Sequence, residues 1–105
     1  MMTIQINNQN SIDGDEKQQE FFKAQIVKSL KIYESHITRI ELHLKYENGK
    51  KEGLNDVLCM LEARLEGKQP IAVTCQANAT EIAVFGAIEK MKTAISTIVG
   101  KMQNH

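Results

Sequence analysis

The chain has 105 residues, and its thirteen basic and thirteen acidic side chains leave no formal net charge at neutral pH. This length is typical of one domain, here residues 1–105, whose folding would bury roughly 60–70% of the unfolded chain's surface. The even charge balance along the chain excludes a basic arm or an acidic tail, so any basic surface must be created by folding.

Two sequence features bear on the compartment. The first ten residues alternate apolar and polar without a basic start, and the apolar runs are only a few residues long, so neither a signal peptide nor a membrane span is predicted. We therefore expect a cytoplasmic protein. Cys59 and Cys75 lack C-x-x-C or clustered-histidine spacing, which favours reduced core thiols over a disulfide or a zinc site. No metal site and no cofactor are predicted.

The first third of the chain predicts a strand followed by a helix. Residues 3–7 alternate apolar and polar, as in a short strand. Asp13 and Glu16 have the spacing of a capping box, so a helix should begin there and end at residues 35–36. Its predicted apolar stripe consists of Phe22, Ile26, Leu30 and Tyr33.

Three strands are predicted next. From Ile37 to Tyr46 the apolar period is two, which puts Arg39, Glu41, His43 and Lys45 on the side away from the core. Residues 47–55 read as a hairpin loop, and residues 67–70 as a second turn. The strands at 57–66 and 71–77 direct both cysteines towards the core.

A long second helix closes the chain. Asn78 and Glu81 have capping-box spacing, and Gly86 is predicted to mark a close approach to the sheet. We expect the apolar stripe of this helix to cover the sheet, with coiled-coil pairing as the alternative. The stripe consists of Val84, Ile88, Met91, Ile95, Ile98 and Met102.

The predicted fold is α+β: a two-layer β-α-β-β-β-α arrangement in which a four-stranded mixed sheet carries both helices on one face. Its first two strands should be parallel, because a helix connects them. The other sheet face is left open to solvent or to a partner. It is predicted to carry Arg39, Glu41, His43, Lys45, Glu62, Arg64, Thr74 and Gln76.

The sequence predicts a binding protein and not an enzyme. His36 lies at a helix end, His43 on an outward strand position and His105 at the last residue. None is therefore expected to be buried or paired, as a histidine of a catalytic triad would be. Glycine-rich phosphate-binding motifs are missing, and a thin two-layer domain offers little volume for a small-molecule substrate. His43 is either a solvated surface histidine or a group that titrates near neutrality or stacks on a base.

Several segments resemble the ribosome hibernation promoting factor family, which includes the ribosome-associated inhibitors of translation and was formerly labelled sigma-factor modulation proteins. They are residues 37–44 (ITRIELHL), 47–49 (ENG), 55–56 (ND), 61–64 (LEAR) and 67–74 (GKQPIAVT), within a resemblance that runs from about residue 3 to 102. The resemblance implies docking on the small ribosomal subunit, against 16S-type rRNA and neighbouring ribosomal proteins. Translation would thereby be inhibited during slow growth or stress, without a membrane or a small-molecule substrate.

Family members present basic residues from both helices and the sheet to rRNA phosphates. Lys90 and Lys101 match basic positions of the family's second helix, whereas the short members usually carry more basic residues where this chain has Thr93 and Thr97. The sequence leaves open whether the protein promotes ribosome pairing or only blocks the decoding region. We add Arg39, Lys45 and Arg64 to the predicted contacts because the alternation along their strands places them on the outward face. The predicted rRNA-binding set is Lys28, Lys31, Arg39, His43, Lys45, Lys50, Lys51, Arg64, Lys68, Lys90 and Lys101.

An alternative keeps the fold and changes the partner. A neutral domain of this kind can bind another protein or itself, through its exposed sheet face or an open strand edge. The distribution of charge distinguishes the two hypotheses, because cations gathered in one region suit RNA and evenly mixed charges suit a protein.

Overall fold

The computed structural model describes residues 2–8, 16–46 and 57–103. Its strands form one sheet in the order β1-β2-β3-β4, with β1 parallel to β2 and the other pairs antiparallel. The predicted α+β architecture is therefore confirmed. The elements are β1 (Thr3–Asn8), α1 (Glu16–Leu30), a 3₁₀ helix (Lys31–His36), β2 (Ile37–Tyr46), β3 (Val57–Leu65), β4 (Ile71–Ala77) and α2 (Thr80–Gln103).

The core lies between one face of the sheet and the two helices, as predicted. Along β2 and β3, buried apolar residues alternate with partly or fully exposed ones, so each strand turns one face inward. The apolar face excludes water because both helices cover it, which is the main stabilising contribution in a domain of this size. The largest fully buried side chains are Phe22, Ile26, Leu30, Ile40, Leu42, Leu44, Leu61, Met91 and Ile95.

A β-bulge at the start of β2 interrupts the alternation of inward and outward side chains. Ile37 pairs with Leu65, whereas Arg39 pairs with Arg64, so two residues of β2 span one step of β3. Thr38 occupies the extra position, and its Oγ1 donates a hydrogen bond to the Arg64 carbonyl at 3.2 Å. The extra residue lets Ile37 and Ile40 both face the core, three positions apart.

The first predicted helix is divided into two parts. The α-helix stops at Leu30, whose φ of −106° and ψ of 9° depart from helical values, and a 3₁₀ helix continues to His36. Tyr33 still packs against the core, although it no longer belongs to the α-helical stripe. Asp13, the predicted N-cap, lies outside the described residues.

The second helix differs from its prediction at both ends. The Ala83 N–H donates to the Ala79 carbonyl at 3.1 Å, so the helix begins just after Ala79 and Asn78 is not its N-cap residue. At the other end Met102 is 36% exposed, and Val99 is buried instead. The reason is length, since 24 helical residues extend about 36 Å whereas the seven residues of β4 extend only about 24 Å. The last turn therefore passes beyond the sheet.

The predicted close approach at Gly86 is confirmed. A Cβ added there would lie 2.4 Å from the Cys75 Sγ, well inside van der Waals contact. Cys75 is half-buried and Cys59 is buried, and both thiols are free. Burial, with a smaller effect of neighbouring Cys75, raises the pKa of Cys59 to about 12. Among the described helices, none is long and apolar enough to cross a membrane.

Candidate nucleic-acid interface

The sheet face turned away from the helices, here called the outer face, carries charges of both signs. The predicted strand parity is confirmed, because every inward position of β2 and β3 from Ile40 onward is buried or half-buried apolar. Three cations, Arg39, Lys45 and Arg64, accompany the carboxylates Glu41 and Glu62. The described outer face comprises Thr3, Gln5, Asn7, Arg39, Glu41, His43, Lys45, Leu58, Met60, Glu62, Arg64, Ala72, Thr74 and Gln76.

Two arginines lie side by side on the outer face. Arg39 and Arg64 are register partners on β2 and β3, and like charges directly opposite each other are destabilising. The Arg39 Nε donates to the Glu41 Oε2 at 2.7 Å, and its Nη2 donates to the Gln5 amide oxygen. The hydrogen bond from Arg39 to Glu41 lowers the pKa of the Glu41 carboxyl. Within the described part of the chain Arg64 forms no ion pair within 4.0 Å, and its only carboxylate interaction is a weaker one with Glu41, so its exposed guanidinium is available to an anion.

His43 is paired, which corrects the prediction that none of the histidines is. Its Nε2 donates to the Glu62 Oε1 at 3.0 Å and lies 3.5 Å from the Glu41 Oε1. Its Nδ1 accepts a hydrogen bond from the Asn7 Nδ2 at 3.3 Å. Strand parity had put these side chains on one face, but the pairing register that brings Glu62 to His43 depends on the loop between β2 and β3. His43 is thus held by its neighbours and is not simply solvated.

Several cations gather where α1, β2, β3 and α2 meet. The 3₁₀ helix leads into β2, and the Glu66 N–H donates to the His36 carbonyl at 3.0 Å, which ties the end of β3 to the start of β2. The turn after β3 and the last turn of α2 also meet here, since Lys68 and Lys101 line one groove. We call this end of the molecule the basic pole. Its cations are Lys28, Lys31, Arg39, Arg64, Lys68 and Lys101.

The basic pole has an excess of positive charge although the whole chain is neutral. Its six cations are accompanied by three carboxylates, Glu34, Glu66 and Glu41, the last of which is paired with Arg39. Lys28 and Lys101 also lie in the last turns of α1 and α2, where cations stabilise the negative end of a helix dipole. That local role accounts for two lysines at most. The six cations exceed the three carboxylates, so positive potential is concentrated at this end.

A groove between the β3–β4 turn and α2 belongs to the basic pole. Its volume is about 490 Å³, and its lining is mostly apolar but includes Lys68 and Lys101. The sequence offered no sign of it, because Met102 was predicted to pack on the sheet. The lining residues are Lys68, Gln69, Pro70, Ile71, Ile98, Lys101 and Met102.

The other predicted contacts are spread more widely. Lys90 extends over the edge strand β4, where its Nζ donates to the Thr74 carbonyl at 2.7 Å. Thr93 and Thr97 are exposed between Lys90 and Lys101, as predicted, and the Thr97 hydroxyl donates to the Thr93 carbonyl at 3.1 Å. Lys45 lies at the other end of β2 from Arg39. The remaining two predicted contacts, Lys50 and Lys51, lie outside the described residues.

No protein-family model matches this chain. The search of curated proteins likewise returns no match.

Two solved structures share the fold. The N-terminal domain of Thermus thermophilus protein Y superposes with a TM-score of 0.72 at 12% sequence identity, and the match covers 93% of this chain and 99% of that one. A ribosomal subunit interface protein from Coxiella burnetii gives a TM-score of 0.69 at 17% identity, covering 94% and 99% respectively. The sequence resemblance to the ribosome hibernation promoting factor family is therefore confirmed as a likeness of fold.

Proposed function

We propose that this protein binds the small ribosomal subunit through rRNA phosphates and inhibits translation during slow growth or stress. The observation that carries the proposal is the basic pole, six cations gathered with three carboxylates in a chain of zero net charge. RNA phosphates are the partner that such a cluster fits. The shared fold also supports a ribosomal partner, since one of the similar structures is described as a ribosomal subunit interface protein.

The paired arginines strengthen the case for an anionic partner. Placing Arg39 opposite Arg64 costs stability in the free protein, and a phosphate between the two strands would remove that repulsion. Glu41 already balances Arg39, so Arg64 gains most from the contact. Lys90 uses one of its three N–H donors on the Thr74 carbonyl and keeps two for a phosphate.

The proposed contact set joins the basic pole to cations elsewhere on the chain. His43 would contribute through its ring, at the middle of the outer face. Occupation of the decoding region by this surface would exclude messenger and transfer RNA, which is the proposed route of inhibition. The full set is Lys28, Lys31, Arg39, His43, Lys45, Lys50, Lys51, Arg64, Lys68, Lys90 and Lys101.

The test is co-sedimentation of the purified protein with isolated small and large subunits at several salt concentrations. Six phosphate contacts predict binding to the small subunit that weakens by about 10³ between 50 and 200 mM salt. Replacing Arg64 and Lys68 together by glutamine should weaken binding and flatten the logarithmic salt slope by about 1.4–1.8. The matched control neutralises Lys23 and Lys92, which lie outside the proposed set, and should change the slope far less.

A cell-free translation assay tests the inhibitory step separately. Protein added in equimolar amounts to ribosomes should lower peptide synthesis, and the Arg64→Gln/Lys68→Gln variant should lower it less. Binding without any effect on synthesis would overturn the inhibitory part of the proposal and leave the binding part standing.

One observation favours the alternative of a protein partner or self-association. Phe21 and Phe85 are 43% and 37% exposed on the helical side, with ring centroids 6.1 Å apart, and Ile82 beside them is 58% exposed. Neighbouring exposed apolar side chains are typical of protein contacts. If the Phe21→Ser/Phe85→Ser variant abolished binding to subunits while Arg64→Gln/Lys68→Gln bound normally, this alternative would replace the RNA-binding proposal.

A further inference from the structure

Three side chains on the outer face bring metal-ligating atoms together. Glu41, His43 and Glu62 form this carboxylate–histidine cluster, and one ligand atom of each lies within 4.8 Å of the other two. The imidazole Nε2 is the shared neighbour, 3.0 Å from the Glu62 Oε1 and 3.5 Å from the Glu41 Oε1. All three side chains are partly exposed, between 27% and 40%, so an ion and water can reach them.

These separations fit the first coordination shell of zinc. Zinc bonds to nitrogen and carboxylate oxygen are about 2.0–2.1 Å long, which in a tetrahedron places neighbouring ligand atoms about 3.3 Å apart. The two distances from Nε2 lie on either side of that value. The two carboxylate oxygens lie within 4.8 Å of each other, so an ion would have to draw them together by up to about 1.5 Å.

The charges of the cluster also favour a cation. Glu41 and Glu62 are register partners on β2 and β3, so two carboxylates face each other across the strands. Arg39 bonds the Oε2 of Glu41 and leaves its Oε1, the atom nearer His43, available. The same arginine lowers the pKa of Glu41, so this carboxyl is ionised at neutral pH.

We propose that Glu41, His43 and Glu62 bind a divalent first-row transition-metal ion such as Zn²⁺, with water as the fourth ligand. One nitrogen and two oxygen donors suit Zn²⁺ better than Mg²⁺, which prefers oxygen ligands alone. A single vacant position for water is the arrangement of open zinc sites. The site does not depend on ribosome binding, and the protein alone suffices to test it.

Binding requires a change of tautomer at His43. The Nε2 must release its proton to coordinate the ion, and the Nδ1 takes up a proton, so the ring remains neutral. Asn7 must then turn its amide by 180° and present the Oδ1 as acceptor, giving up the 3.2 Å hydrogen bond from Gln5. Asn7 thus becomes the group that orients the ligand, as carbonyls and carboxylates do behind other metal-bound histidines.

The test is isothermal titration of the purified protein with Zn²⁺ in a non-chelating buffer. One ion should bind per chain, and His43→Gln or Glu62→Gln should weaken the affinity at least about tenfold. The matched control is His36→Gln, a histidine in the 3₁₀ helix outside the cluster, which should bind as the unmodified protein does. Asn7→Asp should tighten binding, because a carboxylate accepts the Nδ1 proton better than an amide oxygen.

Nitrogen NMR of the histidine rings keeps the proposal falsifiable if a variant fails to fold. In the unmodified protein Zn²⁺ should shift the His43 Nε2 resonance strongly and leave the His36 ring unchanged. Titration with Co²⁺ checks the ligand type, since binding through Cys75 would produce a thiolate charge-transfer band that this site lacks. Absence of zinc binding, equal affinity in His43→Gln, or a thiolate band would each overturn the proposal.

Discussion

Replacing Gly86 by alanine should destabilise the protein although alanine is the better helix former. The added Cβ would lie 2.4 Å from the Cys75 Sγ. Helix propensity favours alanine by about 1 kcal/mol, whereas overpacking a core costs about 1–3 kcal/mol. The free energy of unfolding should therefore fall by about 1 kcal/mol. In a Cys75→Ala background the clash is gone, because the nearest remaining atom, the Cβ of residue 75, is 3.4 Å away. There the same change should stabilise by up to about 1 kcal/mol.

The assay is urea denaturation followed by circular dichroism for the four chains of this double-mutant cycle. Gly100→Ala is the matched control, since nothing lies within 4 Å of a Cβ added there, and it should not destabilise in either background. The expected result is that Gly86→Ala lowers the free energy of unfolding in the unmodified background and raises it in the Cys75→Ala background. Gly100→Ala should show no such reversal. If Gly86→Ala stabilised both backgrounds equally, α2 would not approach β4 as closely as described, and the reasoning would be refuted.

Three further predictions follow from the same contacts. Thr93→Lys/Thr97→Lys should tighten binding to small subunits and steepen the logarithmic salt slope by about 1.4–1.8, measured by filter binding. An unchanged slope would mean that the side of α2 carrying these two residues does not face RNA. Alkylation followed by mass spectrometry should modify Cys75 well before Cys59, because burial raises the pKa of Cys59 to about 12; equal rates would contradict that burial. The pKa of Cys59 is higher in the folded protein than in the unfolded chain, so the free energy of unfolding should depend on pH. The contribution of Cys59 to this free energy should be fully present below about pH 8.5, its ordinary pKa, and should be lost as the pH rises through about 12. Urea denaturation at pH 8 and 10.5 measures it, and Cys59→Ala should reduce the dependence.

The strands were predictable from sequence because hydrophobic period fixes which face each residue takes. The strands predicted at 37–46 and 71–77 have those bounds in the structure, and the third strand ends at Leu65, one residue before its predicted end. The bulge at Thr38 interrupts the alternation in β2. Gly86 was also informative, since a glycine inside a helix often marks a close approach. The change to a 3₁₀ helix after Leu30 was not predictable from the stripe, because Tyr33 packs on the core in either form.

The arrangement of the site was harder to predict because it depends on register and on element ends. Parity alone placed Glu41, His43 and Glu62 on one face, but only the observed pairing shows that they touch. The basic pole likewise requires α2 to run back to the β3–β4 turn, where Lys101 meets Lys68. Met102 continues the apolar stripe of α2 in the sequence, but the helix has passed the end of the sheet there and Met102 is exposed. Hydrophobic period alone does not show where the sheet ends.

A neutral chain can nevertheless carry a strongly positive region. Among the described residues, the end of the molecule opposite the basic pole presents Glu16, Glu20 and Glu81 beside Lys17 and Lys45. The charges are therefore separated along the molecule and are not evenly mixed. Such separation orients a protein in the field of an RNA surface, with the basic pole first.

The central claim, binding to the small ribosomal subunit through salt-sensitive phosphate contacts, is tested most directly by fractionating a stationary-phase lysate on a sucrose gradient and probing each fraction for the protein. The account predicts that it migrates with small subunits and ribosomes in low salt and moves to the top of the gradient as salt is raised. Recovery at the top in low salt, with ribosomes in excess, would contradict it.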